Sequence, residues 1–320
     1  MNAQQVVAAI SSEENITEVY LVACGGSLVD MYPTKYFLES EAKEIVTGLY
    51  TANEFVHATP KRLNPNSLVI VCSHGGNTPE SVHAAKRAKE HGAHTIGLTH
   101  NKEAALIEHS DHVFLYEWGA DSDVKNNPMA IILEIASEVL KTVEGYEHYE
   151  DFRDGIQKAN GIIKKAEELV AERASVFADR YQKEELFYIL SSGASYGHAY
   201  GFAICSLMEM QWLHAASIHS GEYFHGPFEV TNKETPFILL VNEGRTRALD
   251  ERAKEFLAKY AEKVEIVDAK ELGINTISDN VVEFFNPVLF YSVMCVYREA
   301  LANVRNHPLE TRRYMGKVAY

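Results

Sequence analysis

One spacing governs how this 320-residue chain can fold. Gly25 and Ser27 recur as Gly193 and Ser195, 168 residues later, each pair closing a short apolar run. At the same offset Tyr32 recurs as Tyr200, Gly76 and Thr78 recur as Gly244 and Thr246, and Thr95–Thr99 lands on Lys263–Val267. One match of this kind is cheap, because Gly and Ser follow strands in most α/β proteins. One offset held through three strand-to-turn junctions indicates a duplicated α/β unit. In the first half, Val19–Cys24, Ser67–Ser73 and Thr95–Thr99 read as strands, with helices over Leu28–Glu44 and Pro79–His91. In the second, Leu186–Ser191, Pro236–Val241 and Val264–Val267 read as strands, with helices over Tyr196–Ala215 and Thr246–Lys263. Two long helical stretches, Asn127–Val143 and Phe152–Tyr181, lie between them. Alternating strands and helices predict parallel sheets. The expected fold is α/β: two tandem doubly wound α/β/α domains over 1–150 and 151–305, and a tail, 306–320, that docks.

Charge narrows the partners. Thirty Lys and Arg against 45 Asp and Glu leave a formal charge of −15, which repels nucleic acid and anionic membranes. An anionic small ligand must then be drawn in by a local set of backbone N–H groups, hydroxyls or cations. Cys24, Cys72, Cys205 and Cys295 are far apart, so a thiolate zinc site is not expected, and their apolar settings suit reduced thiols. Met1–Ser12 has no signal-peptide pattern, and no apolar run is long enough to span a bilayer. The expected location is cytoplasmic.

Two loops in the first half directly follow strands: Cys24-Gly25-Gly26-Ser27, and Ser73-His74-Gly75-Gly76-Asn77-Thr78 before Pro79. Ligands of open parallel sheets sit outside the carboxyl ends of strands, where glycines admit an anion to backbone N–H groups. No Lys follows the glycines and neither loop has G-x-G-x-x-G spacing, so a monophosphate fits better than a nucleotide. Ser73 and Thr78 could equally serve as ordinary turn and cap residues. The second-half counterpart places Glu243 in its loop, and that carboxylate would repel phosphate.

Glu209 lies in an apolar helix, Ile204 to Trp212. Burial there would push its carboxyl up toward neutrality, as a proton shuttle requires, unless it simply ion-pairs on a polar stripe. Between His219 and Glu229, two histidines and two carboxylates fall near turn-forming Gly and Pro residues. Their spacing matches no standard metal-ligand pattern and no G-x-S-x-G elbow is present, so neither a metal nor a serine triad is expected. The tail is basic, with Arg312, Arg313 and Lys317, and its interleaved Tyr314 and Met315 favour docking over a loose end.

Together these motifs resemble the SIS (sugar isomerase) family, as two SIS domains over nearly the whole chain. Glu209 with His225-Gly226-Pro227 resembles the isomerase domain of glucosamine-6-phosphate synthase, where the matching Glu moves a proton between C1 and C2 and the matching His assists ring opening. That domain has a lysine three residues before the Glu; here the position is Ser206. The stretches Val22–Ser27, Ser73–Glu80, Met208–Trp212, Gly221–Glu229 and His307–Met315 more closely resemble the deglycases of phosphorylated Amadori compounds. Gly316 and Ala319 depart from that family, which usually has Trp and Glu there, and this leaves the amino-acid specificity open. The resemblance implies hydrolysis of a fructosamine 6-phosphate, such as fructoselysine 6-phosphate or fructose-aspartate 6-phosphate, to glucose 6-phosphate and an amino acid. It implies Glu209 and His225 as catalytic residues. It implies Gly25, Gly26, Ser27, Ser73, His74, Gly75, Asn77, Thr78, Ser195, Glu222, Arg313 and Lys317 as substrate-binding ones. No cofactor or metal is implied, and homodimers or larger assemblies with shared sites are. The alternatives are a sugar-phosphate isomerase or aminosugar-phosphate deaminase, and a non-catalytic sugar-phosphate sensor.

Overall fold

The computed structural model describes residues 1–119 and 121–319. The chain divides into two compact units, Met1–Gln157 and Lys158–Tyr320, and the division falls within the helix Tyr149–Tyr181.

Unit 1 carries a five-stranded parallel sheet: β1 (Glu18–Ala23), β2 (Val46–Thr51), β3 (Ser67–Cys72), β4 (His94–Thr99) and β5 (His112–Leu115), in the order β2-β1-β3-β4-β5. Parallel strands need crossovers, and the helices Tyr32–Glu41, Ala52–His57 and Pro79–Glu90 supply them. β1 and β3 are buried along their whole length, as strands covered on both faces are. Tyr20, Val22, Phe55, Val69, Val71, Ala84 and Leu106 form one core cluster against them. Each large apolar side chain so buried contributes roughly 1.5–3 kcal/mol.

Unit 2 repeats the plan with β6 (Leu186–Ser191), β7 (His214–His219), β8 (Phe237–Val241) and β9 (Val264–Asp268), all parallel, in the order β7-β6-β8-β9. The offset persists in the structure: β6 starts 168 positions after β1 (186 − 18), β7 168 after β2 (214 − 46) and the helix Arg247–Tyr260 168 after Pro79–Glu90 (247 − 79), while β8 and β9 start 170 after β3 (237 − 67) and β4 (264 − 94). The glycines that open the repeated turns, Gly25 and Gly193, share a left-handed backbone at φ +55° and +50°.

Several sequence expectations need correction. The single helix expected over Leu28–Glu44 is two, Gly25–Val29 and Tyr32–Glu41, broken at Asp30-Met31 ahead of Pro33. The helix expected over Tyr196–Ala215 stops short, and Ala215 lies in β7. Strands β2, β5 and β7 were not anticipated. All three are edge strands and partly exposed, so none needs the fully buried apolar run of a covered strand. No helix of the described residues is long and apolar enough to cross a membrane.

Candidate active site

In unit 1 the strand order reverses between β1 and β3, the switch point at which doubly wound sheets bind ligands. The two glycine-rich loops come from these two strands. The loop after β3 is held from the β4 side: Thr99 Oγ1 (3.0 Å) and the His100 N–H (3.1 Å) donate to the His74 carbonyl. Asn101 Nδ2 donates to the Gly75 carbonyl (3.3 Å) and the Leu106 N–H to the Gly76 carbonyl (3.0 Å). In a trans peptide the following N–H points opposite the C=O. The N–H groups of Gly75, Gly76 and Asn77 are therefore turned away from β4, as an anion cradle requires. Gly76 has φ +66°, and a β-carbon there would meet the Ala104 side chain and Thr99 Oγ1, so only glycine fits.

Thr78 is the N-cap of Pro79–Glu90, yet its side chain makes no capping bond; its hydroxyl lies 3.1 Å from Ser73 Oγ. The capping alternative therefore fails for Thr78, and both hydroxyls sit at an uncapped helix N-terminus, a favourable place for an anion. Asn77, though exposed, is tied to the next loop, its Oδ1 accepting from the Ala105 N–H at 2.8 Å. From the other loop Gly25 and Gly26 are exposed, and Ser27 is half-buried. Asp30, just beyond, is fully buried, and burial lifts its carboxyl to about 8, so that it is largely neutral at pH 7. Thus Gly25, Gly26, Ser27, Ser73, His74, Gly75 and Thr78 gather at one switch point.

The counterpart in unit 2 is filled by its own groups. Glu283 accepts from the Arg245 N–H (3.0 Å) and Nε (2.6 Å), against the turn at Gly244. Asp250 accepts from the Asn242 N–H (3.0 Å) and from Ser220 Oγ (2.6 Å). Glu243, expected to point into this loop, is instead paired with Arg247 at 3.2 Å and Lys270 at 3.6 Å. Ser195, expected to touch substrate, is fully buried, and its hydroxyl has no hydrogen-bond partner among the described residues.

Glu209 closes a π-wound segment, Phe202–Glu209, that continues the helix Tyr196–Gly201. Such i→i+5 winding is rare and concentrates at functional sites. The helix stops at Trp212, whose φ of +56° places a bulky residue where glycine is usual, and the Leu213 N–H closes the end on the Leu207 carbonyl at 2.9 Å. Glu209 is not buried alone as expected. Its side chain is 26% exposed and its Oε1 lies 2.7 Å from Arg312 of the tail. The rest of the tail packs at the same corner. Arg313 lies 4.3 Å over the Trp212 ring, His307 meets that ring edge-on at 4.6 Å, and Gln211 Nε2 donates to the His307 carbonyl at 2.9 Å. Lys317 Nζ donates to the Arg312 carbonyl at 2.6 Å, which stiffens the turn that presents Arg312. The Arg312–Glu209 pair escaped sequence reasoning, because nothing local links residues 103 positions apart (312 − 209).

Glu222 and His225 lie in the turns after β7, both exposed; among the described residues neither shares a hydrogen bond or ion pair with Glu209. A second group that sequence reasoning missed is Tyr116 with His100, next to His74. Each follows a strand at the ligand end of the sheet, and this rule would have found Tyr116 had β5 been recognised. The open cavity of about 440 Å³ lined by Ile10, Glu13, Lys89, His94, Asp111 and His112 is elsewhere, at the amino ends of β4 and β5. Among the described residues no cluster of three or more His, Cys, Asp or Glu could hold a metal ion.

Residues 15–134 match the model of the SIS domain family. The chain is 42% identical over 307 residues to fructosamine deglycase FrlB of Bacillus subtilis, covering 96% of this chain and 94% of that protein. The chain belongs to the SIS family of fructosamine deglycases. Fructoselysine 6-phosphate deglycase of Escherichia coli K12 is 25% identical over 310 residues, 95% of this chain and 87% of that one. A crystal structure of a candidate phosphosugar isomerase from Salmonella typhimurium LT2 superposes with a TM-score of 0.98 at 46% identity, covering 100% of this chain and 96% of that one. Like its curated relatives in the family, the chain is an enzyme, and its two parallel sheets are the SIS architecture.

Proposed function

We propose that the chain hydrolyses a fructosamine 6-phosphate to glucose 6-phosphate and a free amino acid. The observation that carries this reading is Glu209, a carboxylate set on a π-wound helix end and held by Arg312 at 2.7 Å, in a chain 42% identical to a fructosamine deglycase. The phosphate binds the N–H groups of Gly75, Gly76 and Asn77, the hydroxyls of Ser27, Ser73 and Thr78, and His74, with Gly25 and Gly26 admitting it closely. His225 assists opening of the sugar ring. Glu209 takes the C1 proton of the open ketosamine as the C2 carbonyl oxygen is protonated, giving an enaminol. Return of a proton to C2, with loss of the N–H proton, makes the C1=N imine. Water adds to C1, and the carbinolamine collapses to the aldehyde and the amine. One water is consumed, and C1 and C2 exchange oxidation level within the substrate. The substrate already carries the amine, so Ser206 in place of a lysine costs the reaction nothing.

Glu222, Arg313 and Lys317 border the amino-acid end in this reading, whereas buried Ser195 only supports its turn. The enzyme works in the cytoplasm as a homodimer or larger assembly, and exposed His225 serves a neighbouring copy's substrate. The test is glucose 6-phosphate formation, by a coupled dehydrogenase assay, from fructoselysine 6-phosphate and fructose-aspartate 6-phosphate. Release of amino acid in equal amount supports the reading. Interconversion of ketose and aldose phosphates without amine release would replace it with an isomerase.

A further inference from the structure

We propose that Tyr116, backed by Cys72, positions His74 as a neutral, Nε2-protonated hydrogen-bond donor to the substrate phosphate. The proposal rests on reading the Ser73–Thr78 loop as the phosphate site. His74, His100 and Tyr116 each follow one of three neighbouring strands, β3, β4 and β5, at their carboxyl ends. His74 Nδ1 lies 3.0 Å from the Tyr116 hydroxyl, and His100 Nδ1 lies 3.1 Å from the Tyr116 backbone carbonyl. A carbonyl oxygen only accepts, so His100 carries its proton on Nδ1.

The buried Tyr116 hydroxyl has two neighbours for its single proton, the Cys72 sulfur and His74 Nδ1. Sulfur is a weak acceptor and imidazole nitrogen a strong one, so the phenol donates to His74. His74 then bears its proton on Nε2, across the ring from Tyr116. Burial holds the Tyr116 phenol and the Cys72 thiol well above their ordinary pKa values, so neither gives up its proton in the working range.

The groups around His74 disfavour a second proton on its ring. His100 stacks on it with parallel planes and centroids 5.3 Å apart. Behind Tyr116 and Cys72 stand Ser27 and the buried, largely neutral Asp30. Burial and His100 together depress the His74 pKa. A chain of net charge −15 would thus recognise phosphate through fixed neutral donors, whose strength does not vary across the physiological pH range.

Two measurements decide it. ¹⁵N NMR of histidine-labelled wild type at pH 7 should show His74 as the Nε2–H tautomer and His100 as Nδ1–H. Finding His74 protonated on Nδ1, or as an imidazolium, overturns the proposal. Binding of glucose 6-phosphate is then compared between pH 5.5 and 8 in wild type, Tyr116→Phe and His74→Ala. His74→Ala should weaken binding about ten- to a hundredfold, as loss of a hydrogen bond to a charged group does. Tyr116→Phe should weaken it about three- to tenfold at pH 8 and recover as pH falls, because the freed imidazole can then protonate. A loss in Tyr116→Phe that is the same at every pH marks a packing role and overturns the proposal while sparing His74. If His74→Ala binds like wild type, the phosphate-site reading falls, and the proposal with it. Should Tyr116→Phe fail to fold, the wild-type spectrum still decides.

Discussion

Replacing Gly76 with alanine is the sharpest perturbation of the loop proposed to bind phosphate. Its φ of +66° is left-handed, which costs a residue with a β-carbon about 1–2 kcal/mol. The new β-carbon would also meet Thr99 Oγ1 at 2.7 Å and overlap the Ala104 side chain. Relieving such overlap costs about 1–3 kcal/mol. Moving Thr99 would in addition disturb its 3.0 Å bond to the His74 carbonyl, one of those that turn the loop's N–H groups outward. Gly76→Ala should therefore lose about 2–5 kcal/mol of stability in unit 1, lowering its Tm by about 5–20 °C. Next door, Gly75 has no such backbone and no atom within 4 Å of an added β-carbon, so Gly75→Ala should stay within about 0.5 kcal/mol of wild type. The assay is urea and thermal unfolding of the three proteins, with KM measured on the survivors. Gly76→Ala as mild as Gly75→Ala, in both stability and KM, would refute the reasoning that this turn is built around glycine.

Three further outcomes are expected. Glu209→Gln should lower turnover about 10²- to 10⁴-fold, the range for loss of a general acid–base, while glucose 6-phosphate still binds; a loss of binding with kcat preserved would contradict the role. Asp30→Asn should stabilise the protein increasingly as pH rises from 4 to 8. The native carboxyl, lifted to about 8, keeps a proton that the unfolded chain releases near 4, so native stability falls across that window, by about 4 kcal/mol at pH 7. Equal Tm gaps at pH 4 and pH 8 would argue that Asp30 is ionised in the fold. Arg312→Ala should leave the tail easier to cleave by trypsin at Arg313 and Lys317, with kcat reduced, because the 2.7 Å bond to Glu209 ties the tail down. Unchanged cleavage would show that the tail is held by Trp212 and His307 instead.

What the sequence missed has a common physical cause. Edge strands β2, β5 and β7 are half-exposed and need no continuous apolar run, and His-Ala-Ala-Ser-Ile-His carries no strand signal until β6 pairs with it. Glu209 read as a buried acid because its neighbours in sequence are apolar. Its real partner, Arg312, comes from the other end of the unit. His74 was recognised from its loop, but Tyr116 and His100 were not, because each belongs to a different strand end.

Local chemistry by itself determined the architecture of this protein. A repeated strand–Gly–x–Ser turn at one fixed offset prescribes two parallel α/β units, and positive-φ glycines beside helix N-termini mark where an anion can approach. Those signals are readable because strand, turn and helix propensities act over a few residues. Glu243 already argued against the second copy in the sequence, but that Glu283, 38 positions from Arg245, occupies its turn was visible only in three dimensions. The same holds for the pairing of Glu209 with Arg312 and the hydrogen bond between Tyr116 and His74. A carboxylate or an imidazole takes its protonation and orientation from groups that chain folding brings within about 3 Å, at whatever sequence distance.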